Sequence, residues 1–551
     1  MEKVIVYQVF TRLYGNHNTT RRQNGSIQEN GCGKMNDFTP AVLKRLSAAG
    51  VSHVWYTGVI RHATQTDYSA YGIPRNHPAI VKGKAGSPYA ITDYYDIDPD
   101  LAVDVTKRME EFQQLVDRTH KAGLKVVIDF VPNHVARQYH SISKPAGVKD
   151  LGEGDNPQLG FDPQNNFYYC PGQRFTPYFD LYQGADEPYV EEPAKATGND
   201  CFNNAPGRND WYETVKLNYG VDYYAGGVGH FDPVPSTWQK MLHILLFWAS
   251  KGVDAFRCDM AEMVPAAFWA WATAQVKRQY KKMLFIGEVY NPAEYRRYIA
   301  SGFDYLYDKV GMYDTMRDVI CHHRSTHAIT QAWQQTDDIR QHMLYFLENH
   351  DEQRIASQPF AADGEKAVPA LVTLALLQQN PFMLYAGQEY GECGMDSEGF
   401  SGQDGRTTIF DYWSVDTLVR AAAHKLTAAE KRLKATYDRV LTLARTERAV
   451  TDGVMFDLMY ANSHLQRQYA FLRKSGREVL LVVANFEDRD AMADVVLPQH
   501  AFDYLKLRQR RAVEAVDLLT GKPVTLSLQA DQPLTLPIAA HAALVLKVVS
   551  H

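Results

Sequence analysis

The sequence predicts a (β/α)₈ barrel of parallel strands, with a loop-rich inserted domain after the third strand and a C-terminal antiparallel β-domain. Short apolar runs alternate with amphipathic helical segments, as they do in a closed parallel barrel. A stretch rich in Gly, Asn, Pro and aromatic residues interrupts this alternation after the third run. Beyond about residue 450 the helical periodicity gives way to strand-like runs, which predicts a separate β-domain.

The eight predicted barrel strands share a short apolar core, and they lie at residues 4–9, 53–56, 125–130, 253–256, 283–287, 303–306, 343–347 and 382–385. Amphipathic segments predict the helices between them, at residues 39–49, 106–122, 236–250, 265–279 and 369–379. A long helix over residues 428–447 would close the ring. The sixth strand has the weakest apolar pattern of the eight.

Three domains follow from these elements. The catalytic barrel takes residues 1–134 and 236–450, and the inserted domain takes residues 135–235. Loops of this length are usually functional, so we expect the insertion to border the site. Residues 451–551 form a C-terminal β-sandwich domain, with strands predicted at 469–472, 479–484, 493–497 and 543–549.

Composition narrows the class of protein. The chain has 551 residues, of which 45% are apolar, and a formal net charge of −6. This charge argues against a nucleic acid as partner, and no apolar stretch is long enough to span a membrane. The chain opens directly on a predicted strand, so we expect no signal peptide and a cytoplasmic location. The 33 tyrosines suit a protein that stacks on flat faces such as sugar rings.

The cysteines are scattered without a metal-ligand spacing, and they are Cys32, Cys170, Cys201, Cys258, Cys321 and Cys393. We interpret them as free thiols in a reducing compartment. A single bridge between Cys170 and Cys201, in the long insertion, is the less favoured alternative.

Four motifs end apolar runs with a charged or imidazole side chain. KVVIDFVPNH ends at His134, GVDAFRCD ends at Asp259, MLFIGEVY contains Glu288, and MLYFLENHD ends at Asp351. A charge at the end of an apolar run is costly unless it faces a site. In barrels of parallel strands, active sites are built at the C-terminal strand ends, so these side chains should meet there.

In their order and spacing, these motifs resemble the alpha-amylase superfamily, glycoside hydrolase family 13, and the resemblance covers most of the chain. It implies that Asp259 is the nucleophile, Glu288 the acid/base and Asp351 a third carboxylate that grips sugar hydroxyls. Neighbouring strands lie about 4.8 Å apart, so Asp259 and Glu288 can flank one glycosidic bond, as retaining hydrolysis requires. Glu288 would then have to carry a proton near neutral pH.

Arg257 precedes Asp259 by two residues on the same face of the strand, where it can hold Asp259 ionised. The alternative is a plain structural salt bridge. The resemblance implies that His134 and His350 donate hydrogen bonds to sugar hydroxyls.

The resemblance also gives Asp129 an organising role and makes Tyr89 the aromatic residue that stacks on the sugar. Pro88 stands where the family usually has Gly.

The resemblance places Asn133 and Asn218 at positions that often hold a structural calcium. Lys216 stands where the family commonly has Asp, and a cation there disfavours Ca²⁺. We therefore expect no required cofactor, and a structural calcium at Asn133 and Asn218 is the less favoured alternative. Another departure is Glu262-Met263, where alpha-amylases usually carry a Lys-His pair on the leaving-group side of the cleft.

The predicted function is a retaining α-glucoside hydrolase acting on α-glucans or malto-oligosaccharides, in starch or glycogen degradation. A transglycosylase of the same superfamily, catalysing glucan branching or trehalose- or sucrose-type transfer, is the alternative, because both reactions share the covalent intermediate. A catalytically inactive carbohydrate-binding relative is less favoured, since all three carboxylates are present. A metal-dependent barrel hydrolase is disfavoured, because YQVFTRLYG offers no His-x-His pair on the first strand. The sequence does not indicate an oligomeric state.

Overall fold

The barrel is closed and parallel throughout. The structure, a computed structural model, describes residues 3–181, 187–394, 400 and 402–549. Each barrel strand pairs with the next in chain order and the eighth returns to the first. The strands are β1 Ile5–Phe10, β2 His53–Thr57, β3 Lys125–Phe130, β4 Ala255–Cys258, β5 Leu284–Gly287, β6 Tyr305–Tyr307, β7 Met343–Phe346 and β8 Phe382–Tyr385. The predicted fold class is confirmed.

Strand β4 differs from its predicted bounds. Its pairing runs to Cys258, which lies opposite Phe130 on one side and Gly287 on the other. The strand therefore includes Arg257 and Cys258, because both neighbours supply backbone partners up to that point. Strand β6 is short, as its weak pattern indicated.

The α-helices that the structure describes lie mainly between barrel strands and bury their apolar faces. They are Thr11–Tyr14, Ile27–Asn30, Pro40–Ala48, Arg108–Lys121, Ser236–Ser250, Ala266–Gln279, Tyr295–Ala300, Asp314–Ile320, His327–Gln334, Val368–Leu376, Asp416–Ala422, Ala428–Thr446, Arg448–Thr451 and Gln499–Leu505. Helix Ala428–Thr446 begins with a capping box in which the Thr427 and Glu430 side chains each accept the other residue's backbone N–H.

Short two-stranded pairings stabilise the long connections after β2 and β3. They are Ile60–His62 with Ile91–Ile97, His134–Ala136 with Thr214–Lys216, Tyr169–Cys170 with Ala194–Lys195, and Val221–Asp222 with Val228–Gly229. The second pairing sets His134 opposite Lys216 and so fixes the insertion against the end of β3.

The C-terminal region is antiparallel, as predicted. A six-stranded sheet contains Val454–Asp457, Gln468–Ser475, Glu478–Asn485, Ala543–Val549, Arg510–Asp517 and Pro523–Leu528, in that spatial order. Ala491–Val496 pairs separately with Pro533–Ile538. The strands at 454–457, 510–517, 523–528 and 533–538 were not predicted. Most of them bury only alternate residues, so their apolar runs are short.

All six cysteines are free thiols, so Cys170 and Cys201 form no bridge. Within the described residues, no helix is both long and apolar enough to cross a membrane.

Candidate active site

The side chains predicted from the β4 and β5 motifs are held by backbone hydrogen bonds that continue past the strands. The Asp259 N–H donates to the Phe130 carbonyl at 2.9 Å, and the Glu288 N–H donates to the Cys258 carbonyl at 3.1 Å. These bonds extend the parallel ladder by one rung at each position. The two carboxyl groups therefore start from rigid backbone at the C-terminal end of the barrel.

Arg257 links the two carboxyl groups. Its Nη1 donates to Asp259 Oδ1 at 2.7 Å, and its Nη2 lies 2.9 Å from Glu288 Oε2. Asp129, its neighbour on β3, has Oδ1 3.6 Å from Nη1. The guanidinium is fully buried, so these ion pairs are shielded from solvent.

Three aromatic rings surround the Arg257 guanidinium. Its Cζ lies 5.1 Å from the Trp55 ring centre and 5.5 Å from those of Tyr89 and Tyr307. The Arg257 Nε also donates to the Tyr307 hydroxyl at 3.2 Å. Buried ring faces attract a cation, so this cage fixes the position of the charge that serves both carboxyl groups.

Burial and charge act in opposite directions on Asp259. Burial is the largest cause and raises the pKa of Asp259 well above its ordinary value, and the Glu288 charge raises it further. The Arg257 guanidinium opposes both. Asp129 behaves similarly: burial raises its pKa while Arg257 lowers it. The positive charge of Arg257 thus opposes the effect of burial on the pKa of both carboxyl groups.

Glu288 is held at both oxygens. The Met260 N–H donates to Oε2 at 2.9 Å, and the Tyr290 hydroxyl donates to Oε1 at 2.5 Å. Met260 adopts a left-handed backbone conformation with φ of 44°. A non-glycine residue pays about 1–2 kcal/mol for this conformation, which here aims its N–H at the carboxyl group.

Asp351 and His350 lie together at the end of β7. His350 Nε2 lies 3.0 Å from Asp351 Oδ2 and 2.6 Å from the Tyr89 hydroxyl. Gln8 Nε2 lies 2.8 Å from Nδ1, so with this amide donating, Nδ1 accepts and Nε2 carries the ring proton. Burial raises the pKa of Asp351, but His350 and two arginines outweigh it, so the pKa lies below its ordinary value. Its side chain is 38% exposed.

Tyr89 lies beside Asp351 and His350. Its ring stacks on His350 with centroids 5.3 Å apart and is 8% exposed. The His134 ring lies 5.3 Å from the Trp211 ring, centroid to centroid. Burial, and to a lesser extent the Lys216 ammonium, together lower the pKa of His134 to about 3, so the imidazole is neutral near pH 7.

The Asp129 side chain accepts hydrogen bonds from within the protein. Its Oδ2 accepts hydrogen bonds from Trp55 Nε1 at 3.0 Å and from the Gly58 N–H at 3.3 Å. This arrangement fits the predicted organising role, because Asp129 joins Arg257 to the aromatic wall and to the loop after β2.

The residues at the predicted calcium position do not fit a metal ion. Lys216 Nζ lies 2.5 Å from Asn133 Oδ1 and 2.6 Å from Asp200 Oδ1, and it is buried. Asn218 instead donates to the Asp162 carbonyl and accepts from the Gly220 N–H. In the part of the chain that the structure describes, no group of three or more His, Cys, Asp or Glu could hold a metal. A protein cation therefore takes the oxygens that calcium would need.

The structure thus brings the predicted carboxyl groups, Arg257, Asp129, both histidines and Tyr89 into one region, and it uses Asn133 and Asn218 structurally. Sequence reasoning missed Gln8, Trp55, Tyr290 and Tyr307. Gln8 had a readable signal, since it is a polar side chain inside an apolar strand.

A family model described as the alpha amylase catalytic domain matches residues 28–439. An alpha-amylase from Haloarcula japonica is 25% identical over 403 residues, covering 71% of this chain and 45% of that protein. An alpha-amylase from Streptomyces lividans is 26% identical over 465 residues, covering 75% and 48%. The chain spans about half the length of these curated relatives.

Solved structures extend the similarity to nearly the whole chain. The noncanonic maltogenic alpha-amylase AmyB from Thermotoga neapolitana has a TM-score of 0.64 at 20% identity, covering 100% of this chain and 99% of that one. At this level of identity, the match shows that the two chains share a fold.

Proposed function

Because the chain belongs to the alpha-amylase family, we propose that it is a retaining α-glucoside hydrolase acting on α-glucans or malto-oligosaccharides. This proposal rests on one observation, the contact of a single guanidinium with both carboxyl groups. Arg257 contacts Asp259 and Glu288 together, at 2.7 and 2.9 Å, from the ends of adjacent strands. Two carboxyl groups that contact one guanidinium from adjacent strand ends can attack and protonate opposite ends of one glycosidic bond.

In the proposed reaction, Asp259 attacks the anomeric carbon while Glu288 gives a proton to the departing oxygen. The C–O bond to the leaving sugar breaks as the bond to Asp259 forms. Glu288, now a carboxylate, then removes a proton from water as the water oxygen displaces Asp259. Asp351, whose side chain is 38% exposed, presents a carboxylate oxygen for substrate hydroxyls, and His350 holds it from behind at 3.0 Å.

A transglycosylase is the second candidate, because a sugar hydroxyl can replace water in the second step. The loops that follow the barrel strands would decide which acceptor enters. Reaction on maltose, maltoheptaose, trehalose, sucrose and isomaltose, followed by product analysis, separates the two. Shorter products together with an increase in the number of reducing ends indicate hydrolysis. Longer or rearranged products without such an increase indicate transfer.

The same experiment tests the stereochemistry. Proton NMR of the first product should show the α anomer, since retention follows from adjacent-strand carboxyl groups. A first product of β configuration would overturn the proposal. Absence of turnover on every α-glucoside would favour the carbohydrate-binding alternative.

We further propose that the enzyme works in the cytoplasm, in starch or glycogen breakdown. Six free cysteines support this location, because such thiols are typical of reducing compartments. Fractionation of the producing cells, with activity and immunoblot of each fraction, tests it.

A further inference from the structure

We propose that Glu262 and Tyr290 position the acid/base Glu288, Tyr290 through its hydroxyl and Glu262 through the backbone that carries Tyr290. The inference rests on the proposed function, because it assigns positioning roles within the same reaction. Both residues lie just beyond the strand ends, Glu262 three residues after Asp259 and Tyr290 two residues after Glu288.

Glu262 fixes the segment that follows β5. Its Oε2 accepts hydrogen bonds from the N–H groups of Tyr290 and Asn291, at 3.2 and 3.1 Å. Two consecutive backbone donors on one carboxylate oxygen define the path of the chain at that point. Glu262 is itself anchored, since it lies in the helical turn Ala261–Met263 and its carbonyl accepts from the Tyr298 hydroxyl at 2.9 Å.

Tyr290 completes the hold on Glu288. Its hydroxyl reaches Oε1 at 2.5 Å, while Met260 N–H reaches Oε2 from the opposite side. Met260 and Glu262 belong to the same turn after the nucleophile. That turn therefore holds Glu288 twice, once directly through Met260 and once through Glu262 and Tyr290.

A hydroxyl suits this position chemically. Tyr290 can donate to a Glu288 carboxylate and can accept from a Glu288 carboxylic acid, because a phenol has both a proton and lone pairs. The same contact can therefore persist when Glu288 gives its proton to the leaving oxygen and when it recovers one from water. Orientation of an acid/base matters most when the leaving group needs a proton.

The test compares two substrates of different leaving-group demand, maltoheptaose and 4-nitrophenyl α-maltoside. Tyr290→Phe should lower kcat/KM for maltoheptaose about 10- to 100-fold and for the nitrophenyl substrate by less than about 3-fold. Glu262→Leu should show the same pattern, more weakly. Glu262→Gln should stay near wild type, because an amide oxygen still accepts from backbone N–H groups.

The double variant Glu262→Leu with Tyr290→Phe tests the connection between the two residues. Its loss of kcat/KM for maltoheptaose should be no larger than that of Tyr290→Phe alone. Both changes act on the same contact, the one between the Tyr290 hydroxyl and Glu288. Matched controls are Glu294→Gln, whose carboxylate pairs with Arg297 in the same connection, and Tyr504→Phe on the exposed C-terminal surface. Both controls should match wild type on both substrates.

Equal losses on the two substrates, or additive losses in the double variant, would overturn the inference. If Glu262→Leu fails to fold, Tyr290→Phe and Glu262→Gln decide the question alone. Wild-type enzyme that turns over neither substrate would instead overturn the proposed function, and the positioning roles would fall with it.

Discussion

The ammonium nitrogen of Lys216 lies 2.5 Å from the side-chain oxygen of Asn133, where a bound cation would otherwise hold the insertion to the barrel. The ammonium group also pairs with Asp200 at 2.6 Å. A charge that belongs to the chain cannot be removed by a chelator. We therefore expect EDTA to leave the melting temperature unchanged within error, measured by differential scanning fluorimetry.

Replacing Lys216, by contrast, should destabilise the protein. Lys216→Met leaves the buried Asn133 oxygen without its donor, so we expect a loss of about 1–3 kcal/mol in the free energy of unfolding. The exposed Lys281→Met is the matched control. A large fall in melting temperature on adding EDTA to wild type, reversed by calcium, would contradict this interpretation.

Asp259→Asn should fold normally and lose nearly all turnover, because attack on the anomeric carbon needs a carboxylate. We expect kcat to fall about 10⁴-fold or more. A fluorosugar that accumulates the intermediate should label wild type at Asp259, as peptide mass spectrometry would show. Labelling at any other residue would assign the nucleophile elsewhere.

Glu288→Gln should discriminate between substrates by their leaving groups. Sugars leave poorly without a proton, whereas 4-nitrophenolate leaves readily, so the loss on malto-oligosaccharides should exceed that on aryl glycosides by about 10²-fold or more. Measurement of kcat/KM on both series checks this. A uniform loss would show that Glu288 is structural.

The pH profile should reflect the raised pKa of Asp259. A carboxyl whose pKa is raised still holds its proton at pH values where an exposed Asp, with a pKa of about 3.9, is ionised. Activity that needs the carboxylate is therefore lost as pH falls through the raised pKa. We expect the acid limb of kcat/KM to lie above the pH range in which an exposed Asp ionises. A limb near pH 4, with tryptophan fluorescence confirming the fold, would exclude this.

The parts of the molecule that could be predicted from sequence are those with a local signal. Asp259, Glu288 and Asp351 each follow an apolar strand, so their place at the strand ends could be predicted from the sequence, whereas the roles expected of them came from the resemblance to the alpha-amylase superfamily. The barrel strands could also be predicted from a local signal, since each is a short apolar run. Their predicted bounds lie within a few residues of the observed ones.

What could not be predicted depends on contacts between distant segments. Trp55 belongs to the site because β2 brings it 5.1 Å from Arg257, a distance that no local pattern encodes. Lys216 could be recognised as unusual, but its pairing with Asp200 depends on the path of the insertion. Glu262 was expected to face the leaving group, and its contacts with the Tyr290 and Asn291 backbone appear only in three dimensions.

The backbone bonds from Asp259 to Phe130 and from Glu288 to Cys258 have a consequence for how such an enzyme can diversify. They tie the spacing of the two carboxyl groups to rungs of the sheet, which insertions and deletions in the connecting loops leave untouched. Contacts to the rest of a substrate would come from those loops instead. Lineages can therefore exchange one glucan for another, or water for a sugar acceptor, while the anomeric outcome is inherited unchanged.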